Sequence, residues 1–243
     1  VVDLPVVFVH GIRLSGRCWT EVLDRVGARR PVCAVDLPGH GARRGEHFGL
    51  EGAIDAVRQA IDDMGGHAVV VGHSLGGYVS IATAARHREK VAGLVVTGAT
   101  CLPGRELEVP FTLVHRVLSR QRDGGERISG RIFDRVLPGD AAEEIKRGGI
   151  ATEVIPDVVG EIGGFDILAH LGGYDGPVWL VNGGRDHFRI HERRFLAACS
   201  DGRLLVVPAV GHYLPLARPV EFSRLVLDLA AGCRSRAEGP AVR

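Results

Sequence analysis

Short runs that are apolar at every position alternate with amphipathic stretches along most of the chain, and this alternation predicts the elements. Pro5-Val6-Val7-Phe8-Val9 reads as a buried strand ended by His10-Gly11. Leu14 to Val26 carries Trp19, Val22, Leu23 and Val26 at three- and four-residue spacing, which predicts a helix. Val32 to Val35 predicts a second strand. Leu50 to Met64 predicts a helix with Ile54, Val57, Ile61 and Met64 on one face, stopped by Gly65-Gly66. Further strands are expected at Ala68 to Val71, Val91 to Thr97, Val178 to Val181 and Leu204 to Val207, with helices at Leu75 to Arg86, His191 to Cys199 and Val220 to Ala231. Strands apolar along their whole length, separated by helices, imply a parallel sheet covered on both faces. The expected class is α/β: a doubly wound, mainly parallel six-stranded sheet with helices on both sides.

The rhythm fails between Thr100 and about Gly173. Amphipathic pieces occur there (Phe111 to Gln121, Ile128 to Leu137, Ala141 to Lys146, Ile155 to Ile162) without a convincing strand. An insertion of that length is normally functional. It is expected to form a helical lid, inserted after the fourth strand, over the C-terminal sheet edge where open α/β sheets bind ligands. The expected organisation is a core of residues 1–100 and 174–233, a lid of residues 101–173, and a polar tail of residues 234–243 that frays.

Composition narrows this picture. A chain of 243 residues with 45% hydrophobic and 24% charged positions matches one soluble domain and excludes disordered and fibrous classes. No stretch approaches the roughly 20 apolar residues needed to span a bilayer. The formal charge of +1 provides no field for nucleic acid or anionic lipid. Lys occurs only at Lys90 and Lys146, an Arg preference that suggests a GC-rich genome rather than a binding patch. Five cysteines (Cys18, Cys33, Cys101, Cys199, Cys233) are odd in number and form no metal-ligand spacing. The expectation is reduced, mostly buried thiols in a cytoplasmic protein without a metal. The first apolar run lacks a charged flank, so it is not read as a signal peptide.

The chemistry concentrates at strand ends. Val69-Val70-Val71 runs into Gly72-His73-Ser74-Leu75-Gly76-Gly77, a G-x-S-x-G that opens a helix. Such a strand-to-helix turn strains the central residue, lifts the Ser74 hydroxyl above the sheet, and places the Leu75 N–H beside a developing oxyanion. A nucleophilic serine needs a base and an acid that fixes the base's tautomer. His212, in Gly211-His212-Tyr213 after the sixth strand, is the candidate base. Asp186, in Asn182-Gly183-Gly184-Arg185-Asp186 after the fifth, is the candidate acid, since Gly98-Ala99-Thr100 after the fourth has no carboxylate. The second oxyanion donor is expected from the loop after the first strand, through the backbone N–H of Ile12. Arg13, His187, Phe188, Tyr213, Phe111 and Phe133 are candidate pocket residues, Arg13 being read either as a substrate contact or as a solvated loop charge. His73 and His10 are read as structural, and His40, His47, His67, His87, His115, His170 and His191 as solvated or packed.

Five segments in this order (Val9-His10-Gly11, Asp36-Leu37-Pro38-Gly39-His40-Gly41, the Ser74 turn, the Asp186 loop and Gly211-His212) resemble the α/β-hydrolase superfamily over nearly the whole chain. The resemblance implies a cofactor-free serine hydrolase in which Ser74 forms an acyl-enzyme and a His212-activated water cleaves it. Members of the superfamily often carry an N-terminal hairpin before the first parallel strand, and here only four residues precede Pro5. In this the chain is similar to the short-sheet group of plant methyl esterases and hydroxynitrile lyases. Ser74 argues against the epoxide hydrolases and haloalkane dehalogenases, which use Asp at that turn, and Tyr213 stands where the hydroxynitrile lyases carry Lys. Three functions follow as expectations. The first is hydrolysis of a carboxylic ester, lactone or thioester of a small to medium apolar substrate, under an apolar lid of Phe111, Leu113, Val114, Val117, Phe133, Val136 and Leu137. The second is a lyase or cyclase of secondary metabolism with His212 as base. The third is a non-hydrolytic small-molecule receptor.

Overall fold

The computed structural model describes residues 3–233, so the expected tail at 234–243 lies outside the described residues. In β1 (Val6–Val9), Val7 and Val9 enter one hydrophobic cluster and Val6 and Phe8 another, and all four are closed to solvent. The same two-sided burial recurs in β3 (Ala68–His73), β4 (Val91–Thr97) and β5 (Pro177–Gly183). A strand apolar on both faces is stable only between two helical layers. With β2 (Val32–Val35) and β6 (Asp201–Val207) at the edges, the sheet is parallel throughout in the order β2-β1-β3-β4-β5-β6. The chain goes from β1 outward to β2 and returns on the other side of β1 as β3. Winding therefore reverses between β1 and β3, which opens a crevice at their carboxyl ends.

The helices that follow the early strands are α1 (Thr20–Gly27), α2 (Leu50–Asp63) and α3 (Leu75–Arg86). Between β4 and β5 lie α4 (Arg105–Leu118), α5 (Glu126–Val136), α6 (Gly139–Gly148), α7 (Ile155–Gly163) and α8 (Ile167–Gly172). The chain closes with α9 (Glu192–Ala198), α10 (Leu214–Ala217) and α11 (Pro219–Gly232). One face of the sheet is covered by α1 and α11, with Trp19 set between Phe8 and Phe222 at ring-centroid distances of 5.1 and 6.1 Å. The other is covered by α2, α3, α8 and α9.

Several elements differ from the sequence reading for local reasons. The helix expected from Leu14 begins as a 3-10 turn at Gly16–Trp19 before α1. α4 starts at Arg105 and runs through Pro110, a residue that reads as a helix start or break and hid the first turns. β6 begins at Asp201 because an edge strand tolerates polar, solvent-facing positions. The short α8 and α10 have too few residues to show a period, although Asp166 caps α8 by accepting from the Ala169 N–H at 3.1 Å.

Within the insertion, α4 packs on α7, α5 on α6, and α6 on the 3-10 turn, while α8 joins α3 and α9 over the sheet. Leu113, Val117 and Val136, expected among the apolar residues beneath a lid, instead point outward and are 57%, 50% and 53% exposed. Phe133 and Leu137 are buried. Cys18 and Cys101 are buried, and Cys33, Cys199 and Cys233 only half-buried, so fewer thiols are buried than expected. Among the described residues no helix is long and apolar enough to cross a membrane.

Candidate active site

β3 ends in Gly72-His73 and α3 begins at Leu75, so the whole reversal falls on Ser74, whose φ of 53° and ψ of −118° no ordinary element uses. Backbone strain of this sort costs about 1–3 kcal/mol and survives only where the surroundings enforce it. The enforcement is steric. A Cβ on Gly72 would lie 2.3 Å from the Gly76 carbonyl oxygen, and one on Gly76 would lie 2.2 Å from that of Val9. The Ser74 N–H donates to Thr97 O at 2.9 Å and ties the turn to β4. As the first residue of α3, Leu75 has an N–H with no acceptor in a preceding turn, at the positive end of the helix dipole. Neither this N–H nor that of Ile12 is hydrogen-bonded to another group among the described residues.

The loop bearing Ile12 is braced from below. The His10 Nδ1–H donates to Gly11 O at 2.8 Å while Nε2 accepts the Leu37 N–H at 3.1 Å, a pairing that selects the Nδ1–H tautomer. Asp36 in turn accepts the N–H groups of Gly16 and Ala42 at 2.6 and 2.8 Å. The Asp36-to-Gly41 segment thus organises the loop.

At the ends of β5 and β6, His212 Nδ1 stands 3.1 and 3.2 Å from the two carboxylate oxygens of Asp186. The Asp186 side chain is fully buried. Burial alone raises a carboxyl pKa, but the His212 hydrogen bond and charge, with the Phe188 N–H donating at 2.8 Å, hold this one below its ordinary value. Gly98, at φ +62°, faces the pair: a Cβ there would lie 3.0 Å from the imidazole and 3.2 Å from Asp186 Oδ2. His73 donates from Nε2 to the His212 carbonyl at 3.1 Å. Burial, with His212 beside it, pushes His73 down to about 3, so it serves as a neutral donor that fixes the His212 backbone. Sequence reasoning missed Gly98 and the Phe188 N–H, because neither contributes a reactive side chain.

The Ser74 hydroxyl makes no hydrogen bond to another described residue, the His212 imidazole included. Both side chains face one cleft of about 260 Å³. A serine Oγ swings between staggered rotamers without backbone movement, and such bonds often close only around a substrate. Arg13, Phe111, Phe133, His187, Phe188 and Tyr213 all line this cleft, and the Phe111 and Phe188 rings stack at 6.1 Å. Burial, with His212 nearby, lowers the pKa of His187. A narrower slot of about 40 Å³ shares Ile12, Ser74 and Phe111 with the cleft and runs between Leu75 and Tyr78 and the α7 residues Val158, Val159 and Ile162, with Glu108 also in its wall. No sequence signal separates these α7 residues from ordinary core positions.

Residues 6–225 match the profile of the alpha/beta hydrolase family. The chain is similar to the pimeloyl-[acyl-carrier protein] methyl ester esterases of Neisseria meningitidis serogroup C (29% identical, covering 93% of each chain) and Yersinia pseudotuberculosis (24% identical, covering 94% of this chain and 93% of the relative). Among solved structures it resembles a thermophilic esterase from Thermogutta terrifontis (TM-score 0.78, 21% identity, covering 95% of this chain and 90% of that one). It also resembles the enol-lactonase from Burkholderia xenovorans (TM-score 0.78, 17% identity, 95% and 92%).

Proposed function

The chain belongs to the alpha/beta hydrolase family, and on that premise we propose that it is a serine hydrolase that cleaves a carboxylic ester through an acyl-enzyme on Ser74. The observation that carries the reading is the His212 imidazole held by a buried, ionised Asp186 at the rim of the cleft that also holds Ser74. The Ser74 Oγ attacks the ester carbonyl as His212 Nε2 takes its proton. Asp186 keeps the other ring nitrogen protonated and steadies the imidazolium. The carbonyl oxygen becomes an oxyanion facing the N–H groups of Ile12 and Leu75. One such donor is worth about 2.7–4 kcal/mol in the transition state. The oxyanion then collapses, the C–O bond breaks, and the alcohol departs with the proton from His212. Water, deprotonated at the same imidazole, attacks the acyl-enzyme; the acid leaves and Ser74 regains its proton.

Residues 101–173 act in this reading as the lid: α4 supplies Phe111 to the cleft and α7 walls the narrow slot. The names of the relatives make a methyl ester the first substrate to try. Turnover of methyl and nitrophenyl esters from acetate to laurate tests the reading. Wild type hydrolyses part of the panel, and Ser74→Ala loses at least about 10³-fold. Equal turnover by Ser74→Ala would contradict it. In ¹⁸O-water, hydrolysis labels the acid, whereas elimination by a lyase leaves it unlabelled.

A further inference from the structure

Arg13 is an expensive residue to keep where it is. It directly follows Ile12, and its φ of +68° lies in the left-handed region that ordinarily favours glycine. Its backbone is held there by Ala151, whose N–H donates to Arg13 O at 3.1 Å. The side chain enters the wall shared by the cleft of Ser74 and His212 and an outer groove between α4 and α5. Its Nη2 donates to the Ser129 hydroxyl and, at 3.2 Å, to the Thr152 hydroxyl, both neutral. Its Nε is buried without a partner.

No carboxylate answers this cation. Among the described residues no Asp or Glu lies within ion-pair distance of Arg13. Glu153 acts on it only through space, and its carboxylate is held by Arg44, which donates at 2.5 and 3.1 Å. Burial draws the Arg13 pKa down, yet a guanidinium keeps its proton in proteins. A partly buried charge without a counter-ion is a standing electrostatic debt that a bound anion would cancel. No acidic side chain lines the cleft, and of its histidines His73 and His187 are biased toward the neutral form by burial. Arg13 is the only Lys or Arg among the described residues that line the cleft, and its planar guanidinium matches a carboxylate.

We propose that Arg13 is the recognition site for a carboxylate carried by the substrate, so that the ester presented to Ser74 is a half-ester or lactone with a free acid at its far end. This rests on the Ser74 hydrolase reading for the reaction, while the anion site stands on the Arg13 geometry alone. The slot, which meets the cleft at Ser74 and does not include Arg13, takes the apolar partner of the ester bond, and the acid points toward Arg13 in the cleft.

The test compares monomethyl with dimethyl esters of glutarate through suberate, pairs that differ in charge at one chain length. Wild type is expected to favour the half-ester by about tenfold or more in kcat/KM at the best length, mainly through KM, as a charged hydrogen bond implies. Arg13→Met brings the ratio toward one, and Arg13→Lys restores part of it. A wild-type ratio at or below one overturns the proposal without any variant. A ratio unchanged in Arg13→Met also overturns it, since a merely structural role lowers both substrates together. If wild type hydrolyses neither ester of any pair, the half-ester assignment fails, while the hydrolase reading still rests on the wider ester panel and Ser74→Ala. Thermal-shift titration of Ser74→Ala with adipate then decides the anion site: saturable stabilisation lost on adding Arg13→Met supports it, and no stabilisation refutes it.

Discussion

Position 98 shows how little room the hydrogen-bonded pair of Asp186 and His212 leaves. A methyl group there meets the imidazole at 3.0 Å, closer than ordinary contact, so the ring has to move by a few tenths of an ångström. Misplacement of a catalytic group by 1 Å costs on the order of 100-fold. Gly98→Ala is therefore expected to lower kcat/KM by about tenfold. Its positive φ adds a loss of stability of about 1 kcal/mol. Steady-state kinetics with a melting curve separates the two, and unchanged kcat/KM would show that the imidazole does not need this clearance. That Ser74, Asp186 and His212 stand at the ends of β3, β5 and β6 was legible in sequence because each follows an apolar run. Gly98 was legible only as the absence of a carboxylate. That a missing side chain there makes space for the imidazole is a fact of distance, which spacing in sequence does not encode.

Elements written in strong periodicity were readable to within a turn, as in α2, whose Ile54, Val57 and Ile61 are all closed to solvent. The elements between β4 and β5 were readable as helices but not in their packing. Leu113 and Val117 look like core residues in sequence, yet they face outward along an apolar groove of about 470 Å³. Which face of an amphipathic helix is covered depends on its partners, and α4 turns its other side to α7. The shortest elements depend on caps rather than period. Asp166→Ala removes the only side-chain acceptor at the start of α8 that the structure shows, and should destabilise the protein by about 1 kcal/mol. A urea midpoint shift reads this loss, and no shift would mean that burial of Ile167 and Leu171 alone holds the helix. At the turn from β3 to α3, Gly76→Ala drives a Cβ into the Val9 backbone at 2.2 Å, where no side chain can yield. That substitution should cost about 1–3 kcal/mol, an overpacking penalty measurable by the same midpoint.

The buried histidines give the molecule as a whole a defined acid sensitivity. Burial lowers the pKa of His73 to about 3 and draws that of His10 well below its ordinary value. In the unfolded chain both return to about 6.5. Between these limits the unfolded state binds more protons, so stability is complete above about pH 6.5 and falls as pH drops toward 3. Each group contributes about 1.4 kcal/mol per pH unit crossed. Urea denaturation at pH 7.5, 6 and 5 should show the decline, and constant stability over that range would mean that these rings are protonated in the folded protein. The fold also brings together residues 74, 186 and 212, which are remote in sequence, and the central claim is that this convergence makes one serine hydroxyl nucleophilic. Intact-mass analysis after exposure to a fluorophosphonate tests it most directly. The account predicts a single adduct, mapped to Ser74 by peptide sequencing and missing from folded Ser74→Ala. Folded wild-type protein that takes up no label, or Ser74→Ala that labels equally, would contradict it.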